Sequence, residues 1–281
     1  MKHPRFPSLR LAVLLALCCA APVEAATGDK AAPPLTLEQR NDASAKVIVP
    51  LSADIFNALD QLDKDVNWRA LVDYTAQGGA REKSSYPDNA LKALNLGVRV
   101  ADAFIAIQAK DAAALRSLSN TLVSLAQPLG VSEEIVGARE TIERNARAGD
   151  KWPTVRDNVV ALQEKVRTEL EDQKRADEAV LVVVGGWLQG LHLVTKALSG
   201  NDYNADAATV LRQVSLVQSL QTQLDGLSAE TKNLPVIQAI LADLPEIAKL
   251  TAVGQNEPVS KANVEQLYKV SSRLAAAIMK G

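Results

Sequence analysis

Two stripes of polar residues mark where this 281-residue chain could do chemistry. One is Gly185, Gln189, His192 and Lys196; the other is Asp88, Lys92, Asn95, Arg99 and Asp102. Both step by three and four, so each set falls on one face of a helix. The first could form the polar wall of a pocket in an apolar core, with Gly185 leaving room beside Gln189 and His192. The second could bury an Asn95–Arg99–Asp102 network facing Gln189 and His192, if every buried charge finds a partner. Asn95, Arg99, Asp102, Gln189 and His192 are therefore the candidate ligand-binding residues. A plainer arrangement fits the same spacing: a satisfied core glutamine and histidine on one helix, and a solvated face with local ion pairs on the other.

The residue inventory excludes much else. The chain has two histidines and two cysteines. His3, Cys18 and Cys19 fall in residues 1–25, which read as a secretory signal peptide. Lys2, Arg5 and Arg10 precede and open an apolar run from Leu11 to Ala21, and Val23-Glu24-Ala25 puts small residues at the −3 and −1 positions of a cleavage site. Cleavage leaves His192 as the one histidine and no cysteine. No His-cluster or Cys-based metal site can then be built, and neither a metal nor a cofactor is expected. A Ser-His-Asp arrangement could use only His192, and no Gly-x-Ser-x-Gly elbow accompanies it, so no catalytic residue is assigned.

The expected location is the periplasm or the exterior. A lipid anchor is less favoured, because Leu17 precedes Cys18 and Cys18 precedes Cys19, where a small residue is wanted. An exported chain without disulfides must be held by packing. The net charge of −2 becomes about −4 on cleavage, and no basic stripe exists, so a nucleic-acid partner is not expected.

The elements that must position the two stripes read as helices, with no convincing strand pair. The expected organisation is a signal peptide at 1–25, a leader at 26–46 with Pro33-Pro34, and a single helical domain at 47–281 that begins near Val47–Pro50. The fold class is all-α: an irregular multi-helix bundle or a short array of helical hairpins, with nine or ten helices. Leu115, Leu118, Leu122 and Leu125 form one helix face, with Asp111 as N-cap and a stop at Pro128 and Gly130. Ser132, Glu133 and Glu134 open the next, whose stripe is Ile135, Ala138, Ile142 and Ala146 and whose end is Gly149. Val155, Val159, Leu162, Val166 and Leu170 mark a third, with Pro153 in its first turn. Val210, Val214, Val217 and Leu224 mark a fourth. Pro235 and Pro245 are expected to begin two short helices. Val264, Leu267, Val270, Leu274 and Ile278 mark the last, capped by Ser260. The charged stretch Glu164–Glu178 reads as a solvated face with a Glu171–Arg175 pair. Trp68, Trp152 and Trp187 read as packing residues at the core or at helix ends. A weak similarity between Pro87–Pro128 and Asp177–Gly226, which roughly aligns Gly97 with Gly190, hints at a duplicated hairpin.

Ala179–Leu198 is apolar nearly all round and fits three arrangements. As a central buried helix it would use Gly186 and Gly190, four apart, to let a neighbour approach closely, with Trp187 between them as a structural residue. Its three glycines cost roughly 1 kcal/mol each against alanine, which close packing must offset. As a transmembrane span it is nearly long enough, but Gln189, His192 and Lys196 interrupt it, so no transmembrane anchor is expected in the mature chain. As a strand with a phosphate-binding turn it has Trp187 where a dinucleotide fingerprint needs glycine. The residues favour the buried helix.

At Lys92–Val98 with Ala101-Asp102, and at Gly185–Leu191, the chain resembles a loose group of exported, all-helical bacterial proteins of uncharacterised function. The resemblance spans roughly Pro87 to Leu198. In that group an acidic residue commonly stands at the position of Gln189 and a tyrosine at that of His192, and several members look lipid-anchored. The resemblance implies a helical fold and an exported location, and no activity. The expected function is non-catalytic: binding an unknown small molecule or protein partner through a groove between helices. The alternative is a periplasmic enzyme of unknown reaction with a polar pocket around His192 and Asp102.

Overall fold

Short polar side chains cap several of the helices that the apolar stripes build. The computed structural model describes residues 66–254 and 257–281. The expected signal peptide at 1–25, the expected leader at 26–46 and the expected start near Val47–Pro50 lie outside the described residues. The described residues fall within one compact unit and form eleven α-helices and no strand. These are α1 (Trp68–Thr75), α2 (Asn89–Gln108), α3 (Ala112–Ala126), α4 (Ser132–Ala148), α5 (Trp152–Asp172), α6 (Ala176–Ala197), α7 (Ala205–Ala208), α8 (Val214–Asp225), α9 (Ala229–Lys232), α10 (Pro235–Thr251) and α11 (Lys261–Lys280). Two of them, α7 and α9, are single turns too short to show a stripe, which is why the sequence suggests only nine or ten.

Where local signals are strong the ends fall as expected. Asp111 accepts from the amides of Ala113 and Ala114 at 3.1 and 3.0 Å to start α3. Gly130 and Gly149, both at positive φ, close α3's final turn and α4. Ser260 accepts from Asn263 N at 3.2 Å and starts α11. Three expectations are corrected. Arg212 and Gln213 leave helical geometry, so Val210 sits in a preceding short turn and α8 begins at Val214. Pro235 and Pro245 share one helix, α10. Ile237, Ile240, Leu244, Ile247 and Thr251 make one unbroken buried stripe along it, and its burial outweighs the backbone bond that Pro245 cannot donate. Arg175 pairs with Glu178 at 2.9 Å rather than with Glu171, because α5 ends at Asp172 and Lys174 adopts positive φ between the two helices. Glu171 pairs with Arg167 instead.

At the centre α2 crosses α6. From that pair α3, α4 and α5 follow one another side by side back to α6 on one flank. On the other flank α11 packs on α6, α10 on α11, and α8 on α10, while α1 lies against α2. The duplicated hairpin is absent: α3 packs along α2, but α8 packs mainly on α10 rather than on α6. The segment Ala179–Leu198 is helical from end to end apart from Leu198. By length and composition α6 could cross a membrane, yet 67% of its most apolar window is buried within the protein.

The glycines that permit the crossing differ from those expected. A Cβ at Gly185 would stand 2.0 Å from Leu94 O, and one at Gly97 would stand 2.0 Å from Val182 O. A Cβ at Gly186 would lie 3.3 Å from Gly97 O, and one at Gly190 would meet nothing within 4 Å. The close approach therefore rests on Gly97 and Gly185, with Gly186 at its margin. Gly190 plays no part, because it lies beyond the crossing point. Trp187 is a structural anchor: buried, with its indole N–H donating to Gln213 Oε1 at 2.9 Å across to the turn before α8.

Candidate functional site

The α2–α6 crossing brings the two polar stripes together inside the core. Asp88 caps α2 by accepting from Leu91 N at 2.7 Å, which starts the helix about two turns before Asn95. Asn95 and Arg99 are 0% exposed, Asp102 is 1% and Gln189 is 3%. Arg99 Nη1 donates to Asp102 Oδ2 at 2.7 Å, and Gln189 Nε2 donates to Asp102 Oδ1 at 2.7 Å from the facing helix. Asn95 Nδ2 donates to the carbonyls of Leu91 and Ile278 at 2.9 and 2.8 Å, tying α2 to the end of α11. Lys92, in the same stripe, stays partly exposed beside Asn89. Burial pushes the Asp102 carboxyl above its ordinary range, against the pull of Arg99 and the Gln189 amide.

His192 lies one turn beyond Gln189 in an adjoining cluster. Its Nε2 shares a hydrogen bond with Tyr74 Oη at 3.1 Å. Its ring stacks on Tyr268, with centroids 5.5 Å apart and planes 6° from parallel. The Lys196 ammonium sits 5.5 Å and 5.4 Å from the ring centroids of Tyr74 and Tyr268. Burial, reinforced by Lys196, lowers the His192 pKa to about 4, so the imidazole is neutral at pH 7. Burial and the adjacent Tyr268 push Tyr74 up to about 12. Among the described residues no hydrogen bond joins His192 to Asp102: the two sit in neighbouring networks.

The connection between α1 and α2 supplies residues that no stripe signals. Arg81 donates through Nη2 to Val72 O, and its positive charge acts on Asp102. Burial pushes the Tyr86 hydroxyl up, and the Arg99 guanidinium beside it, through its charge and a side-chain hydrogen bond, partly offsets that push. Lys83 anchors this connection by donating to the carbonyls of Met279 and Lys280 at 2.7 and 2.9 Å, where the last orphan carbonyls of α11 face it. Tyr74, Tyr86 and Tyr268 are three of only four tyrosines in the chain. That scarcity is the one clue the sequence offers to them.

The arrangement is rich in unmatched polarity. Native proteins leave few buried polar atoms without a partner. Among the described residues, the buried side-chain atoms with none in ordinary hydrogen-bond geometry are Arg81 Nε, Tyr86 Oη, Asn95 Oδ1, Arg99 Nε and Nη2, Gln189 Oε1, His192 Nδ1 and Gln223 Nε2, of which Tyr86 Oη and the Arg99 guanidinium lie beside one another. All but the last belong to these two clusters. The apolar concavity between α2, α3, α4, α5 and α6, lined by Leu96, Val100, Leu115, Ile142, Val159 and Val166, measures only about 40 Å³. That holds a water molecule, far below the roughly 300 Å³ of a small-molecule pocket. Among the described residues Val136 is the one large apolar side chain that is exposed, and no group of three His, Cys, Asp or Glu side chains could hold a metal ion. No protein-family model, no curated protein and no solved structure matches the chain.

Proposed function

We propose that this is an exported, non-catalytic binding protein that takes a small polar molecule at the Arg99–Asp102–Gln189 cluster between α2 and α6. The observation that carries the reading is the concentration there of buried polar atoms without partners. Each such atom costs about 1–3 kcal/mol of desolvation unless something supplies a hydrogen bond. A fold that collects several around one fully buried ion pair gains most when an occupant satisfies them together. The small apolar concavity, and Val136 as the one exposed large apolar side chain among the described residues, give less support to a greasy ligand or a broad docking face. The expectation of a groove between helices thus narrows to a polar site within the helix crossing.

Native mass spectrometry of the protein isolated from its own extracytoplasmic compartment tests this. The expected result is a retained low-mass adduct, lost when Arg99→Met and Asp102→Leu are combined. Replacing both members of a buried ion pair with apolar residues often leaves a protein folded. A protein with no adduct, or an adduct that survives the double replacement, refutes the reading. Retention of a second polypeptide instead would favour an interaction role.

A further inference from the structure

The concavity between α2, α3, α4, α5 and α6 is too small for a whole ligand and suits the end of one. We infer that it takes the tail of a small amphiphilic anion, a carboxylate on a short aliphatic chain, whose head rests on Arg139 at the mouth. Arg99, Asp102 and Gln189 do not line this space, so the inference stands apart from the reading given to that cluster.

Leu96, Ile142 and Val182 line the concavity and are buried, whereas Leu162, Gln163 and Arg139 are partly exposed and mark where it reaches the surface. Ile135, Arg139 and Ile142 all line it and step by four and three, so Arg139 interrupts the inward apolar stripe of α4. A leucine at that position would help fill the space. An arginine leaves it open and sets a cation at its edge. The volume of about 40 Å³ matches the last carbon or two of a chain, since a water molecule claims about 30 Å³ in the liquid and a methyl group is no smaller. Water finds few polar partners against walls of leucine, isoleucine and valine, so exchanging it for a methyl group is favourable.

The head group follows from charge. Arg139 Nε donates to Glu143 Oε1 at 2.7 Å, Arg147 Nη2 donates to Glu143 Oε2 at 3.1 Å, and Arg116 Nε on α3 stands 3.8 Å from the same Oε2. Three guanidiniums thus share one buried carboxylate, which leaves two positive charges in excess. Glu140 on the same helix is paired with Arg144 at 3.7 Å. Burial pushes the Glu143 carboxyl up, but the hydrogen bonds from Arg139 and Arg147 and the charge of Arg116 hold it below its ordinary range, so it stays ionised and pins Arg139. With Nε spent on Glu143, the two amino groups of Arg139 remain available, and Arg116 makes no hydrogen bond among the described residues. A carboxylate answers that excess and can accept from a guanidinium with both its oxygens. A neutral or cationic head would leave the excess unbalanced.

Titration of the mature protein at pH 7 with sodium acetate, sodium butyrate, sodium hexanoate and n-butylammonium chloride, followed by backbone-amide NMR shifts, tests the inference. Butyrate is expected to shift amides of α4 and to bind about tenfold tighter than acetate, because each buried methylene is worth about fourfold in affinity. Hexanoate should bind no tighter than butyrate, since the space is then full, and butylammonium at least about tenfold weaker. Arg139→Gln leaves Glu143 its other two arginines and should weaken butyrate at least about tenfold. Val159→Ile adds one methyl group to the wall and should bring butyrate down to the level of acetate, with acetate unchanged; circular dichroism checks that both variants have folded. Butyrate binding no tighter than acetate, hexanoate gaining a further fourfold or so per methylene, or butyrate binding that survives Arg139→Gln or Val159→Ile overturns the inference. So does the absence of a shift with any carboxylate. None of these results bears on the adduct expected at the Arg99–Asp102–Gln189 cluster, so the two readings fail separately.

Discussion

Single alanine substitutions along the α2–α6 crossing should separate glycines that a sequence cannot tell apart. At Gly185 a new Cβ would stand 2.0 Å from Leu94 O, whereas ordinary contact begins near 3.4 Å. The obstacle is backbone, so it cannot rotate away, and the two helices must part by about 1.4 Å at that point. The interface on both sides is buried leucine, valine and alanine, and opening it weakens dispersion contacts across its whole length. Overpacking usually costs 1–3 kcal/mol, and backbone displacement at a central crossing belongs at or above the upper end. Better helix propensity returns about 1 kcal/mol. Gly185→Ala and Gly97→Ala should thus each destabilise by a net ~2 kcal/mol or more. Gly186→Ala, with 3.3 Å to Gly97 O, should lie near zero. Gly190→Ala meets nothing and should stabilise by up to about 1 kcal/mol. Urea unfolding followed by tryptophan fluorescence gives the order directly, since Trp68, Trp152 and Trp187 are all buried. If Gly190→Ala is as damaging as Gly185→Ala, or Gly185→Ala unfolds at the parent's midpoint, the crossing is wrongly placed.

Three further outcomes follow from the same structure. Asp102→Ala should destabilise by about 3–5 kcal/mol because it strands a buried guanidinium, and Arg99→Met should be comparably costly; with Asp102→Leu added, the loss should fall well below the sum, and a thermodynamic cycle that closes additively would refute the pairing. His192 is neutral in both folded and unfolded chains above pH 6.5, and between there and about pH 4 the unfolded chain gains a proton that the folded one lacks, so stability should fall with pH by up to about 1.4 kcal/mol per unit. Chemical denaturation at pH 4.5 and 6.5 should show this slope in the parent and lose it in His192→Phe; Tyr74, Tyr268 and Lys196 face the ring in both conditions, and the opposite trend from Asp102 is common to both proteins. Ser260→Ala and Asp111→Ala should each cost about 1 kcal/mol as lost caps, read from the same unfolding midpoints.

What was legible in the chain was what is local. Asp111, Gly130, Gly149 and Ser260 mark helix ends because a cap acts on backbone groups within a turn of itself. The stripes of α3, α5 and α11 were readable because burial on one face repeats every three or four residues. The 3,4 spacing likewise put Asn95, Arg99 and Asp102 on one face and Gln189 and His192 on another. What spacing does not encode is where two helices cross. Gly185, Gly186 and Gly190 are equivalent as letters, and only the position of Leu94 opposite them decides which must lack a side chain. Arg81, Tyr86, Tyr74 and Tyr268 come from an irregular connection, a short helix and the final helix, so no period links them to α2 or α6. Pro245 misleads for a related reason: its local cost is real, but a tertiary stripe overrides it.

The close crossing and the polar cluster are one feature. Helices packed through ordinary side chains keep their axes about 8–10 Å apart. Gly97 and Gly185 remove the bulk that sets that spacing. Asp102 lies five residues beyond Gly97 on α2, and Gln189 four beyond Gly185 on α6, about 7.5 and 6 Å along their axes. Over so short a lever the helices have diverged little. A glutamine and an aspartate, neither a long side chain, can then meet directly at 2.7 Å with no water between them. With alanine at both crossing positions the same residues would be held farther apart, Asp102 would keep only Arg99, and the Gln189 amide would lose the partner that orients it. The glycines thus cost helix propensity and in exchange set the geometry of a polar site that an evenly spaced bundle could not hold.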